Sequence, residues 1–274
     1  MTPAEATDRL KGIPFIRALG LRAVKVGPET SRCLLHAAPA LAARAGADEI
    51  CPGVIAAAVD QAGSMAVWSA FGLALPHATI CLGVSFFAAA RLGDLVFETR
   101  LLAANDTLGQ TDVLVLQDGR PVARGRVDFA LGSYPGAAGP SVTQPLDDPA
   151  RIDGAAIAPL GGDDFAAALG LQPGNGGLHL PFAANLVGSR DPVALHGGVL
   201  AAASIASAEA AVGPEGELRL IDFSIDYLRS GLPRMSQLRP QVVSRTRRTA
   251  LVEIAAQQDA DRLVTRARAR FYEG

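Results

Sequence analysis

The chain writes one unusual helix twice. Gly53-Val54-Ile55-Ala56-Ala57-Ala58 and Gly198-Val199-Leu200-Ala201-Ala202-Ala203 stand 145 residues apart, and each opens an alanine-rich run. A helix with Ala and Gly on every face keeps little side chain between itself and its neighbours, so other backbone can approach closely, as when a sheet curls around it. Other matches flank the pair in the same order. Phe15-Ile16-Arg17-Ala18-Leu19-Gly20-Leu21 recurs as Phe165-Ala166-Ala167-Ala168-Leu169-Gly170-Leu171, and Val84-Ser85-Phe86-Phe87 as Ile225-Asp226-Tyr227-Leu228. The offset drifts from 150 to 145 to 141 only across presumed loops, as a duplicated domain with loop deletions requires.

Apolar periodicity places the remaining elements. Residues 14–21 read as a short helix closed by Gly20, and 22–37 as one extended stretch in which Val24, Val26, Cys33 and Leu35 alternate with polar residues. The central helix covers 53 to about 70, and four strands follow at 77–88, 94–104, 108–117 and 121–131. Asp118-Gly119 is a hairpin signal between the last two. Strands at 236–245, 249–259 and 262–272 close the second half in the same rhythm. The Gly/Pro-rich segment 132–150 reads as a linker, giving domains at 1–131 and 151–274.

At 274 residues and 49 % hydrophobic content, each half has enough apolar material for its own core. A net charge of −2 argues against nucleic acid or an anionic membrane as a partner. The stretch 219–274 is nevertheless basic, with 11 Arg against six acids, which suits either a solvated strand face or a phosphorylated ligand. Cys33, Cys51 and Cys81 lack metal-ligand spacing and read as free thiols in a reducing cytoplasm, with no metal or cofactor implied. His36, His77 and His179 show no ligand spacing either. The first ten residues carry charges without an apolar centre, so no secretory signal is expected. The apolar run 53–75 has Asp60 and Gln61 near its middle, a costly place for charge in lipid, and reads as a buried helix.

The helix starts His196-Gly197-Gly198 and Cys51-Pro52-Gly53, the acid Asp60, the strand 222–229 and the closing strand 122–129 together resemble the hotdog-fold thioesterases of the phenylacetate-degradation type. The resemblance implies an α+β fold: two hotdog domains in tandem, each an antiparallel sheet wrapped around a central helix, forming an intrachain pseudo-dimer. It also implies hydrolysis of an acyl-coenzyme A (acyl-CoA) thioester between the two units. One unit supplies a glycine N–H at a helix start. The other supplies an acid seven residues after the last glycine of the triplet, where Asp60 stands, with Thr79 at a supporting hydroxyl position.

The losses in the two halves are complementary. The first half keeps Asp60 and Thr79 but has Cys51-Pro52 in place of His-Gly, and proline has no N–H. The second keeps His196, Gly197 and Gly198 but has Ile205 and Leu220 at the acid and hydroxyl positions. One working site per chain follows, with the Gly197 N–H, alone or together with that of Gly198, facing the oxyanion and Asp60 as general base or, alternatively, nucleophile. His196 is expected to shape the turn or contact the acyl carbonyl rather than transfer a proton. Burial among alanines should raise the Asp60 pKa.

Ser189 and Arg190 stand where the family often carries an asparagine that orients substrate, and with Arg229 they are the candidate substrate-binding residues. Arg266, Arg268 and Arg270 are weaker candidates for coenzyme A phosphates, since alternating arginines commonly mark a wet strand face. Ser64 and Glu209 are equivalent in the two repeats, and Glu209 reads as a substitute acid or a surface glutamate. A non-hydrolytic acyl-CoA binding or regulatory module on the same scaffold is the alternative reading. Two such chains are open to pairing as a homodimer through their sheet edges.

Overall fold

In a computed structural model of the chain, which describes residues 1–73, 75–132, 159–190, 192–213 and 218–274, the two alanine-rich runs are helices packed against each other. The first repeat opens with helices α1 (Pro3–Lys11) and α2 (Pro14–Leu19), then strands β1 (Arg22–Gly27) and β2 (Thr30–Ala37). Helix α3 (Pro52–Phe71) follows, then β3 (His77–Phe86), β4 (Gly93–Ala104), β5 (Leu108–Gln117) and β6 (Arg120–Leu131). The second repeat runs through α4 (Phe165–Ala168), β7 (Gln172–Gly174), β8 (Gly177–Leu180), β9 (Val187–Arg190) and β10 (Val193–Leu195). Helix α5 (Gly197–Val212) and strands β11 (Leu218–Tyr227), β12 (Ser236–Arg245), β13 (Thr249–Gln258) and β14 (Arg262–Glu273) complete it. The expected linker 132–150 lies, apart from Gly132, outside the described residues.

Twelve strands form one antiparallel sheet in the order β1-β2-β4-β5-β6-β3-β11-β14-β13-β12-β8-β7. The order is a palindrome of the repeat, with β3 and β11 meeting at its centre. There Leu82 pairs with Ile225, Gly83 with Ser224 and Val84 with Phe223. In the repeat alignment Leu82 corresponds to Phe223 and Val84 to Ile225, so Leu82 faces the counterpart of Val84, Val84 that of Leu82, and Gly83 its own counterpart Ser224, about a local two-fold axis at that pair. This is the self-complementary pairing of a symmetric dimer, written within one chain.

The helices obey the same two-fold. A Cβ placed on Gly53 would lie 3.1 Å from the Ala202 Cα, and one on Gly198 would lie 2.7 Å from the Ala57 Cα. Gly53 is the counterpart of Gly198 and Ala57 that of Ala202, so the missing side chains set the helix–helix distance at both ends. Each half of the sheet then closes over its helix: α3 packs on β2, β4, β5 and β6, and α5 on β8, β12, β13 and β14. Helix α3 is long and apolar enough to cross a membrane by length and composition, yet 83 % of its most apolar window is buried inside the protein.

The stretch 22–37, expected as one strand, is a hairpin. Pro28 and Glu29 turn the chain between β1 and β2, with Glu29 in the left-handed region at φ 57°. Most other expected strand ends shift by one or two residues, β5 and β12 begin and end where expected, and the strand expected at 222–229 runs over Leu218–Tyr227. The short strands β7 to β10 and helix α1 were not foreseen.

Candidate active site

The second helix start is shaped by its own histidine. His196 is the N-cap of α5, with extended φ −66° and ψ 138°, and its Nδ1 accepts from the Gly198 N–H at 2.9 Å. Nδ1 is therefore unprotonated, and the proton sits on Nε2, which donates to Gln61 Oε1 at 3.1 Å. Burial pushes the His196 imidazole down to about 3, so the ring is neutral. Its 3.5 Å approach to Asp60 Oδ2 is accordingly a polar contact and not an ion pair. The nitrogen that faces the helix start is an acceptor and the ring's one proton is held by Gln61, so this histidine has none to pass to the site near neutral pH.

Asp60 reaches the helix start from the other repeat. It is 3 % exposed on α3, and its Oδ1 accepts from the Thr79 hydroxyl of β3 at 2.6 Å. A Cβ on Gly197 would lie 2.9 Å from Asp60 Oδ2, so the carboxylate rests directly over the Gly197 backbone. Burial lifts the Asp60 pKa to about 6, against the opposing pull of the Thr79 hydroxyl and the Gly198 amide. The group is thus mostly ionised at pH 7 yet basic enough to take a proton.

The two glycine amides differ. Gly198 N–H is occupied by His196 Nδ1, whereas Gly197 N–H, the first amide of the helix, has no intrahelical acceptor. The Gly197 carbonyl accepts from the Tyr227 hydroxyl at 2.9 Å. Tyr227 is kept protonated: burial, then the nearby Asp60 charge, raise its phenol well above the ordinary value. Its counterpart in the first repeat is Phe86, which has no hydroxyl to offer.

Asp60, Thr79, His196 and Gly197 line one cavity of about 380 Å³. Ser189, Arg190 and Arg229 line it too, so seven of the eight residues expected from sequence meet there, and the eighth, Gly198, lies just behind. Ser189 and Arg190 arrive on the unforeseen β9–β10 hairpin. Arg229 donates to the Leu263 carbonyl at 2.8 Å, and its charge reaches Arg262. Arg268 and Arg270 are instead paired with Glu253 and Asp222 on the exposed sheet face, at 2.8 Å and 3.4 Å, and do not line the cavity. Ser64 lines it, while Glu209 does not. Glu209 sits on the mirrored side near Cys51 and Glu49, where burial and then the Glu49 charge raise it to about 7. That mirrored side also holds Ile205, fully buried, and Leu220.

Sequence reasoning missed Gln61 and Tyr227 as parts of the site. Gln61 was foreseen only as a polar residue beside Asp60 in the buried helix, and it holds His196.

The sheet wrapped on a central helix, doubled about a local two-fold, defines a tandem hotdog protein. The sequence family described as the thioesterase superfamily matches residues 51–123, and that described as the acyl-CoA thioesterase N-terminal domain matches 187–272, in the second half of this chain. Together they cover more than half of its length. No match was found among curated proteins. Among solved structures, a protein described as a thioesterase II from Thermobifida fusca superposes with TM-score 0.65 at 15 % identity, over 96 % of this chain and 99 % of the other. A tesB protein of Mycobacterium avium subsp. paratuberculosis gives 0.62 at 16 % identity over the full length of both. At such identities these likenesses establish the fold. The chain belongs to the thioesterase superfamily as a tandem hotdog thioester hydrolase.

Proposed function

We propose that the protein hydrolyses acyl-CoA thioesters in a single composite site per chain, built between units at 1–131 and 151–274. Asp60 removes a proton from water as the water oxygen attacks the thioester carbon. The carbonyl oxygen becomes an oxyanion at the Gly197 N–H, on the positive end of α5. When the tetrahedral intermediate collapses, the carbon–sulfur bond breaks. The leaving thiolate takes the proton from Asp60, which regenerates the base and gives free acid and coenzyme A. Thr79 fixes one carboxylate oxygen and Tyr227 fixes the Gly197 peptide. Ser189, Arg190 and Arg229 face the coenzyme A end, where Arg229 and its basic neighbours suit phosphate.

The observation that carries this reading is the carboxylate of one repeat lying over the Gly197 backbone of the other, at the glycine amide of that helix start which His196 does not cap. The three free thiols fit a reducing cytoplasm as the place of action.

The test is thiol release from a panel of short, medium, long and aromatic acyl-CoA esters across pH 4 to 9. Because the active form of Asp60 is ionised, kcat/KM falls as pH drops through about 6, approaching tenfold per unit below it. The Thr79 hydroxyl stabilises the ionised form, so Thr79→Val moves the inflection upward. A flat profile between pH 5 and 8 would rule out Asp60 as the base.

A further inference from the structure

The cavity wall beyond Asp60 carries polar groups that hydrolysis does not use. Gln61, Ser64 and Trp68 lie at i, i+3 and i+7 along α3 and all line the cavity. Gln61 is 3 % exposed and Trp68 4 % exposed, and neither Gln61 Nε2 nor Trp68 Nε1 has a hydrogen-bond partner among the described residues. The Ser64 hydroxyl makes no hydrogen bond among the described residues. Native proteins rarely bury a donor without a partner, so a row of them along a cavity describes what the cavity receives.

The far end of the row is the most developed. Trp68 stands about 12 Å beyond Asp60 along the helix axis. The Arg9 guanidinium lies 5.3 Å from the ring centroid, and His77 packs on Trp68 in a T-shaped pair with ring centroids 5.1 Å apart. His77 Nδ1 lies 3.2 Å from the Leu75 carbonyl, which can only accept, so Nδ1 carries the proton and Nε2 presents a lone pair. Arg9 has no ion pair among the described residues, and both Arg9 and His77 line the cavity. Trp68, His77 and Arg9, which carry an indole N–H, an imidazole lone pair and a cation, therefore line the cavity together, two helical turns from Asp60.

We infer that the acyl group accepted here ends in an oxygen function, a hydroxyl or a carboxylate, seated against Trp68. A hydroxyl accepts from the indole and donates to His77; a carboxylate accepts from the indole beside Arg9. A plain alkyl end leaves the indole donor dry. The inference rests on the acyl-CoA reading above and deepens it.

The test compares octanoyl-, ω-hydroxyoctanoyl- and suberoyl-CoA on the unmodified protein and on Trp68→Phe, which keeps a ring and removes the N–H. At least one oxygenated ester is expected to exceed octanoyl-CoA in kcat/KM by about tenfold or more, since a site built to bond an oxygen discriminates against its absence. Trp68→Phe brings that ratio to within about threefold of unity. The hydroxyl and carboxylate arms then separate the role of His77 from that of Arg9. Equal or better turnover of octanoyl-CoA by the unmodified protein overturns the inference. So does a uniform loss across all three esters in Trp68→Phe, which assigns the N–H to the coenzyme A arm they share. Release from none of the esters tried overturns the acyl-CoA reading itself and this inference with it.

Discussion

Asp60→Asn is expected to lower kcat for thiol release by about 10³-fold, the middle of the range for a lost general base. The same change has an opposite effect on stability, and the sign follows from the raised pKa. Burial lifts Asp60 from 3.8 to about 6, so the folded state holds the proton more tightly than the unfolded state. As pH rises from about 4 through 6, folding loses stability, and above that the full cost of the buried charge is felt, about 3 kcal/mol for a shift of this size. Asparagine keeps a hydrogen-bonding oxygen for Thr79 and carries no charge. The melting temperature of Asp60→Asn relative to the unmodified protein should therefore climb between pH 4 and pH 8. Thermal scans at the two pH values check this, and a difference that does not vary with pH would show that the carboxylate is not held in the folded state as described. Losing activity while gaining stability at pH 8 is the signature of a strained functional acid.

Gly197→Pro should cost about 10²- to 10³-fold in kcat, the usual price of one oxyanion donor. The comparison is clean because the fold already tolerates it: Pro52 occupies the equivalent first position of α3. Proline is favoured at that position, and the extended backbone of His196 suits the residue before it. The substitution also adds a Cβ close to Asp60 Oδ2, which Gly197→Ala adds while keeping the N–H. The difference in kcat between the two variants isolates the amide. Near-equal rates for them would move the oxyanion away from Gly197.

Much of this was legible in the chain because duplication supplies an internal comparison. The offsets of Phe15, Gly53 and Val84 to their copies foretold a two-fold that the β3–β11 register and the Gly53–Ala202 and Gly198–Ala57 contacts then display. The complementary losses, Pro52 in one half and Ile205 in the other, pointed to Asp60 and Gly197 as partners 137 residues apart. What stayed hidden follows from physics that no single segment carries. Strands β7 to β10 have three or four residues each, too few for a period to show. The turn at Pro28-Glu29 uses a non-glycine residue at positive φ, which leaves no glycine mark in the sequence. Gln61 binds His196 only because the two-fold brings the halves together, and Tyr227 reaches Gly197 within the second repeat across 30 residues of chain. The Gly198 amide looked available from the triplet alone, and the cap formed by His196 Nδ1 takes it.

Calorimetric titration with a non-hydrolysable acyl-CoA thioether tests the composite site most directly. One molecule bound per chain is expected, because the mirrored side has Pro52, Ile205 and Leu220 in place of every working group. Two equivalent molecules per chain would contradict the account, since each repeat would then hold a site of its own.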